Sequence, residues 1–183
     1  MDQRSEMFRS GSLASDSFDE EAMRFFQAGI ELENRGEFQE ALGLFECSAA
    51  LAPTLARAHY HRGNLLVDLG RAEEALGAFD KALESMPDWA ECHFNRGNTC
   101  VSLGRFGEAE GSCRRALELK PDFFDALVVL GVSQESLMRP HEAIASYRRA
   151  LEIEPNHAGV NANLGSALLA AGELTQAIAC FYC

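Results

Sequence analysis

Pro53, Pro87, Pro121 and Pro155 stand 34 residues apart, three intervals in a row, and only Pro140 lies off that ruler. A period of this length means one supersecondary unit stacked on copies of itself, because a single such unit cannot bury its own apolar face. Other residue types keep the same step. Small residues recur at Gly29, Gly63, Gly97, Gly131 and Gly165, and again at Ala41, Ala75, Ala109, Ala143 and Ala177. A bulkier series runs Phe45, Phe79, Cys113, Tyr147 and Phe181. A second glycine series, Gly36, Gly70, Gly104 and Gly172, is interrupted only at Met138.

Each period reads as two helices. Thr54, Asp88, Asp122 and Asn156 follow the ruler prolines and are expected as N-caps, since their side-chain oxygens can accept an orphan N–H. The first helix of each unit is expected to stop at the second glycine, which takes the left-handed conformation of a C-cap. The second helix, for example over 73–85, ends before proline, which cannot donate the next helical bond. Ser17 and Glu20 read as a capping box ahead of Ala22. A glycine inside a helix costs about 0.5–1 kcal/mol relative to alanine. The first glycine series therefore implies close helix approach, expected against the alanine series on the facing helix, with the aromatic series filling space between units. In the fourth unit Met138-Arg139-Pro140 stands where a glycine turn belongs. An altered turn is expected there, with Pro140 in the first turn of its helix, where no N–H is needed.

A 34-residue helix–turn–helix unit with Gly, Ala, aromatic, Ala and Pro in these places resembles the tetratricopeptide repeat. The resemblance implies an all-α fold: a right-handed superhelical solenoid of antiparallel helix pairs. There would be about five repeats, 22–55, 56–89, 90–123 and 124–157 with an incomplete one over 158–183. The array would span 17–183 behind a disordered segment over 1–16. The wording Asn95-Arg96-Gly97-Asn98 and Asn163-Leu164-Gly165 is similar to the repeat arrays attached to O-GlcNAc-transferase-type enzymes and their bacterial relatives. In this family the first helices line a concave groove that takes an extended peptide or a partner helix. Carried onto this chain, the central groove pairs are Tyr60 with Phe94, His61 with Asn95, and Asn64 with Asn98. Phe26, Val128 and Asn163 continue the rows, and Arg57 and Glu91 stand at the rim. An asparagine amide is both donor and acceptor; these asparagines either grip peptide backbone or bond across neighbouring repeats. Glu33, Asp68, Glu91, Asp125 and Glu135 against Arg57 favour a neutral or basic segment. The arrays that clamp acidic chaperone tails use lysines and an arginine where this chain has residues such as Phe26, Phe94 and Glu91, so that ligand is not expected.

Charge narrows the partners. With 16 Lys+Arg against 28 Asp+Glu the formal net charge is −12, which repels phosphate backbones and anionic lipid and excludes nucleic acid and membrane surface as expected partners. No stretch approaches the ~18 apolar residues of a spanning helix, and residues 1–16 lack a secretory pattern; a cytoplasmic location is expected. Of the six cysteines, Cys100 and Cys113 fall on core positions, and Cys180-x-x-Cys183 is half a zinc pattern without its other half. His59 and His93, one repeat apart at roughly 10 Å, are too far apart to share a metal ion and are expected as packed rings. No cofactor or metal is expected. His61, facing the groove beside Asn95, could make binding pH-sensitive. Arg62 and Arg96 need a partner, for which Asp80 is the candidate. Arg114 with Glu118 and Arg148 with Glu152 read as exposed i,i+4 pairs. No P-loop, dinucleotide fingerprint, zinc-protease motif or nucleophile elbow occurs, so no enzyme activity is expected. Ala177, Ile178 and Phe181 are set to pack on a further helix. The leading expectation is a protein–protein interaction scaffold or adaptor. The alternatives are the substrate-recruiting arm of a larger glycosyltransferase and an assembly unit that self-associates through Ala177, Ile178 and Phe181.

Overall fold

The computed structural model describes residues 3–181, with side chains from Asp19 to Ile178 and that of Cys180. The described residues form ten helices and no strand. Residues 1–16 and Ser17 of the Ser17–Glu20 box have side chains outside the described residues; helix α1, Gln3–Asn34, begins upstream of that box, which therefore does not mark its start.

The chain forms two compact units, Met1–Pro87 and Asp88–Cys183. In the first, α1 packs on α2 (Phe38–Leu51), α2 on α3 (Ala56–Asp68), and α3 on α4 (Ala72–Ser85). In the second, α5 (Ala90–Ser102), α6 (Phe106–Leu119), α7 (Phe124–Ser136), α8 (Pro140–Ile153), α9 (Ala158–Ala170) and α10 (Leu174–Phe181) pack each on the next. There α5 also touches α7, and α7 touches α9. In this second unit the first helices α5, α7 and α9 are thus a closely spaced row, and the second helices stand further apart.

The helix starts are one residue later than expected. Leu55, Trp89, Phe123 and His157 occupy the caps, and the first three make no side-chain cap bond. A tight turn takes up the extra residue. The Leu55 N–H donates to the Ala52 carbonyl at 2.9 Å, and Phe123 and His157 repeat this to Lys120 and Glu154 at 3.2 and 3.3 Å. Proline presets φ at the second position of such a turn, leaving Thr54, Asp122 and Asn156 at the third. At the fourth start the cap is His157, whose Nδ1 accepts from the Val160 N–H at 3.2 Å.

The altered turn expected at Met138 is not found. Met138 adopts φ 60°, beside 79°, 72°, 72° and 83° at Gly36, Gly70, Gly104 and Gly172. Its turn closes with the same bond as the glycine turns: Arg139 N–H to the Gln134 carbonyl at 2.9 Å, as Arg71 donates to Leu66 at 2.7 Å. This is the six-to-one bond of a Schellman motif. Pro140 sits in the first turn of α8, as its missing N–H allows.

The first glycine series makes room for a ring, and it does so within each unit. A Cβ on Gly29 or Gly63 would lie 2.7 or 2.6 Å from the ring of Phe45 or Phe79, and one on Gly131 would strike Tyr147. The aromatic series therefore fills the inside of its own helix pair, and not the space between units. Where the ring is replaced by Cys113, a Cβ on Gly97 would meet Cys113 Sγ at 2.8 Å and the Ala109 carbonyl oxygen at 3.2 Å, the closest approach to the Gly–Ala packing expected throughout. Phe45, Phe79, Cys113 and Tyr147 are all fully buried. Their layer, with Ala41, Ala75, Ala109 and Ala143, is the core of each pair.

Candidate peptide-binding face

In the first unit, α3 carries Arg57, Tyr60, His61 and Asn64. The side of α3 turned to its neighbours holds Ala58, His59, Gly63, Leu65 and Leu66, all buried. Arg57 is exposed, and Tyr60, His61 and Asn64 are half-buried. An aromatic cluster surrounds His61: its ring stacks on Phe45 at 5.3 Å between centroids and meets Phe26 and Tyr60 edge-on at 5.5 and 5.6 Å. Tyr60 also leans on Phe79 at 6.2 Å. Phe26 is 8% exposed, so it supports this cluster from below. His61 Nδ1 lies 2.9 Å from Glu33 Oε2, which fixes the ring and occupies one of the acids counted for the rim.

In the second unit, α5 presents Glu91, Phe94, Asn95 and Asn98, with Cys92, Gly97, Thr99 and Cys100 turned inward. Asn98 and Glu91 are exposed; Phe94 and Asn95 are half-buried. Phe94 rests on Phe123 at 5.0 Å, and Lys120 Nζ lies 4.5 Å over the Phe123 ring and 3.6 Å from Glu91. The Asn95 carbonyl accepts from Thr99 Oγ1 at 2.7 Å. Val128 on α7 is half-buried against the apolar core of this unit, and Asn163 on α9 is half-buried. The acid at Glu135 accepts from Tyr147 Oη at 3.1 Å. Burial, and then the Glu135 charge, push the Tyr147 phenol well above its usual range.

The remaining chemistry is structural. Cys92, Cys100 and Cys113 are buried, and burial followed by the neighbouring Cys100 pushes the Cys113 thiol up to about 12. Cys183 lies outside the described residues, and no group of metal-ligating side chains is found among those described. His59 is 7% exposed and its Nε2–H donates to the Pro53 carbonyl at 3.0 Å, tying the helix to its turn. Arg62 pairs with Glu46 at 3.5 Å, not with Asp80, because Glu46 projects from the second helix immediately before it. Arg96 donates to Ser112 Oγ at 2.8 Å and lies 3.6 Å from Glu108.

The exposed arginine pairs differ from the i,i+4 pattern expected downstream. Arg114 reaches back to Glu110 at 2.8 Å and across to Glu142 at 3.3 Å, while Arg115 takes Glu118 at 2.8 Å. Arg148 donates to Gln176 at 2.7 Å and Arg149 to the Pro121 carbonyl at 3.2 Å. Arg114 and Arg115 thus keep a partner on their own helix, at other spacings than expected, while Arg148 and Arg149 bond to neighbouring repeats. Arg139 joins Glu110 as well. Burial pushes the Glu110 carboxyl up, but the hydrogen bonds and charges of Arg139 and Arg114 outweigh it and hold it below the usual range. Sequence reasoning missed this network and the buried Gln134–Ser146 bond, since neither follows a single helix.

At the far end, Ala177 is fully buried in the core of the second unit, like the alanines one period before it, and so offers no self-association surface. Ile178 is half exposed, and the side chain of Phe181 lies outside the described residues. No described helix is long and apolar enough to cross a membrane.

Ten helices in consecutive pairs among the described residues, with a glycine under a ring in three of the pairs and under Cys113 in a fourth, define a helical-hairpin repeat protein. Tetratricopeptide repeat models match residues 26–88, 60–124 and 94–158, and a second such model matches 138–181. The chain belongs to the tetratricopeptide repeat family. Among solved structures it is similar to a MamA protein, at 20% identity over 89% of each chain with a TM-score of 0.86. It is also similar to a MamA from Desulfovibrio magneticus RS-1, at 19% identity over 88% of this chain and 92% of that one, TM-score 0.84. YrrB, a TPR protein with an unusual peptide-binding site, matches at 23% identity over 92% of this chain and 87% of its own, TM-score 0.82. At these identities the likeness is one of fold. Comparison with curated protein sequences finds no match.

Proposed function

We propose that the chain is a non-enzymatic interaction scaffold whose first helices bind an extended peptide segment, neutral or basic in charge. One observation carries the reading. Tyr60 and Asn64, and their equivalents Phe94 and Asn98 one repeat later, are solvent-accessible aromatic and amide side chains on helices whose other side is fully buried. Aromatics supply contact area at low entropic cost, and amides supply paired donors and acceptors for backbone. Asp68, Glu91 and Asp125 are exposed on the first helices, and the chain carries a net charge of −12, which supports the charge preference. The YrrB structure, with its peptide-binding site, is a precedent for the fold in this role.

The test is a double substitution, Asn64→Ala with Asn98→Ala, assayed against peptides selected from a random library for binding to the wild-type chain. Loss of two amide contacts is expected to weaken binding roughly tenfold or more while helicity by circular dichroism is unchanged. Unchanged affinity would remove the first-helix face from the account.

A further inference from the structure

In the second unit α7 is the middle helix of the first-helix row, touching α5 on one side and α9 on the other. Its accessible side differs from theirs. Where α5 carries Asn95 and Asn98, and α9 carries Asn163 and Ser166, α7 carries Val129 and Val132. With Val128 these form one stripe at i, i+1 and i+4, half-buried against the core of the unit. The opposite side of α7, with Ala126, Leu127 and Leu130, is buried. A helix that is apolar all round is expected to be covered all round. The valine side of α7 is still reached by solvent.

Charge says what fits there. Asp125 lies on the same side of α7, three and four residues before Val128 and Val129, so it stands next to them. It is exposed and makes no ion pair among the described residues. The other acids nearby are engaged: Glu91 lies 3.6 Å from Lys120 Nζ, and Glu135 accepts from Tyr147 Oη at 3.1 Å. The free charge beside the valines is therefore a single carboxylate, whose complement is a lysine or arginine. A second copy of the chain would bring a net charge of −12 to a side that is already acidic.

We propose that α7 sets the specificity of the peptide-binding face. Its valines take a leucine, isoleucine or valine side chain of an extended partner segment, and Asp125 takes a lysine or arginine beside that residue. The proposal rests on the reading of the first helices as the binding face and adds the sequence they choose. Packed helix axes stand ~8–10 Å apart and an extended chain advances ~3.3 Å per residue, so about three residues pass over each helix. A segment whose backbone is held by the amides of α5 and α9 thus lays a side chain on the valines between them. Amides grip any sequence, whereas the valines gain only from an apolar side chain.

The experiment enriches a random peptide library on the full wild-type chain and on the double variant Val129→Asn with Val132→Asn. That variant gives α7 the residues α5 carries at the same places, so its helicity by circular dichroism should match wild type. Wild type is expected to enrich leucine, isoleucine or valine next to lysine or arginine. Replacing the aliphatic residue of an enriched peptide by serine should weaken binding to wild type roughly tenfold or more, and binding to the variant far less. Asp125→Lys, on an exposed side chain, should weaken the basic peptide roughly threefold. Backbone shifts of the ¹⁵N-labelled chain locate each peptide. Peptides that map to the first helices but bind wild type as well with serine in place of the aliphatic residue overturn the proposal and leave the first-helix reading standing. So does enrichment without the aliphatic and basic pair. Peptides that map to the second helices, or no enrichment, overturn both.

Discussion

Met138 is the one non-glycine residue among those described that holds a positive φ, and it does so with its side chain 86% exposed. An L-residue there costs on the order of 1 kcal/mol through its Cβ, and no packing is lost on removing the side chain. Met138→Gly is therefore expected to raise the free energy of unfolding by about 1 kcal/mol, read as a higher urea midpoint at unchanged slope; a lower midpoint would contradict the turn geometry. The opposite change belongs to the other glycine series. Gly63→Ala pushes a methyl into the Phe79 ring and should cost about 1–3 kcal/mol, much of it relieved by adding Phe79→Leu. Additive losses in that double mutant would mean the ring is not what the glycine accommodates. The cysteines offer a third reading at this scale. Exposed Cys47 should react with a thiol reagent in the native state, while Cys100 and Cys113 wait for unfolding, since burial keeps the Cys113 thiol protonated. That the cysteines at 100 and 113 were core residues was legible from their place in the period. That Met138 would mimic glycine was not, because the turn is imposed by flanking helices whose hydrogen bonds over-determine one residue.

The helices were legible as elements, while their joints were not. Thr54, Asp122 and Asn156 looked like caps by side-chain chemistry, but the prolines before them close a turn that moves each helix start one residue on. The charged side chains were misread for a related reason. A single-helix rule pairs Arg114 with Glu118, whereas the neighbouring helix brings Arg139 to Glu110, so that Arg114 and Arg139 share that acid. Here the element scale makes a pH prediction. Glu110 titrates below its ordinary value of about 4.3 in the folded chain. Between the lowered and the ordinary value the unfolded chain binds more protons, so stability rises with pH across that window. The contribution is present in full above the ordinary value and disappears as pH falls through the lowered one. Glu110→Gln should cost about 1 kcal/mol at neutral pH and flatten the acid limb of the stability curve, as measured by urea melts from pH 3 to 7 (conditions chosen to bracket the carboxylate range). An acid limb identical to wild type would remove Glu110 from the account.

For the whole molecule, the 34-residue period was enough to specify the fold, because a repeat stack has only nearest-neighbour interfaces and each is written by the same few positions. The candidate face was less legible. Tyr60, Asn64, Phe94 and Asn98 stand accessible, but Phe26 is buried against His61 and His61 is held by Glu33, facts fixed by packing between α1, α2 and α3. The most direct test of the central claim is a backbone chemical-shift map of the ¹⁵N-labelled chain bound to one library-selected peptide. The account predicts the largest changes on the first helices, around Tyr60, Asn64, Phe94 and Asn98, with the second helices little affected. Changes centred on the second helices, or on neither row, would contradict it.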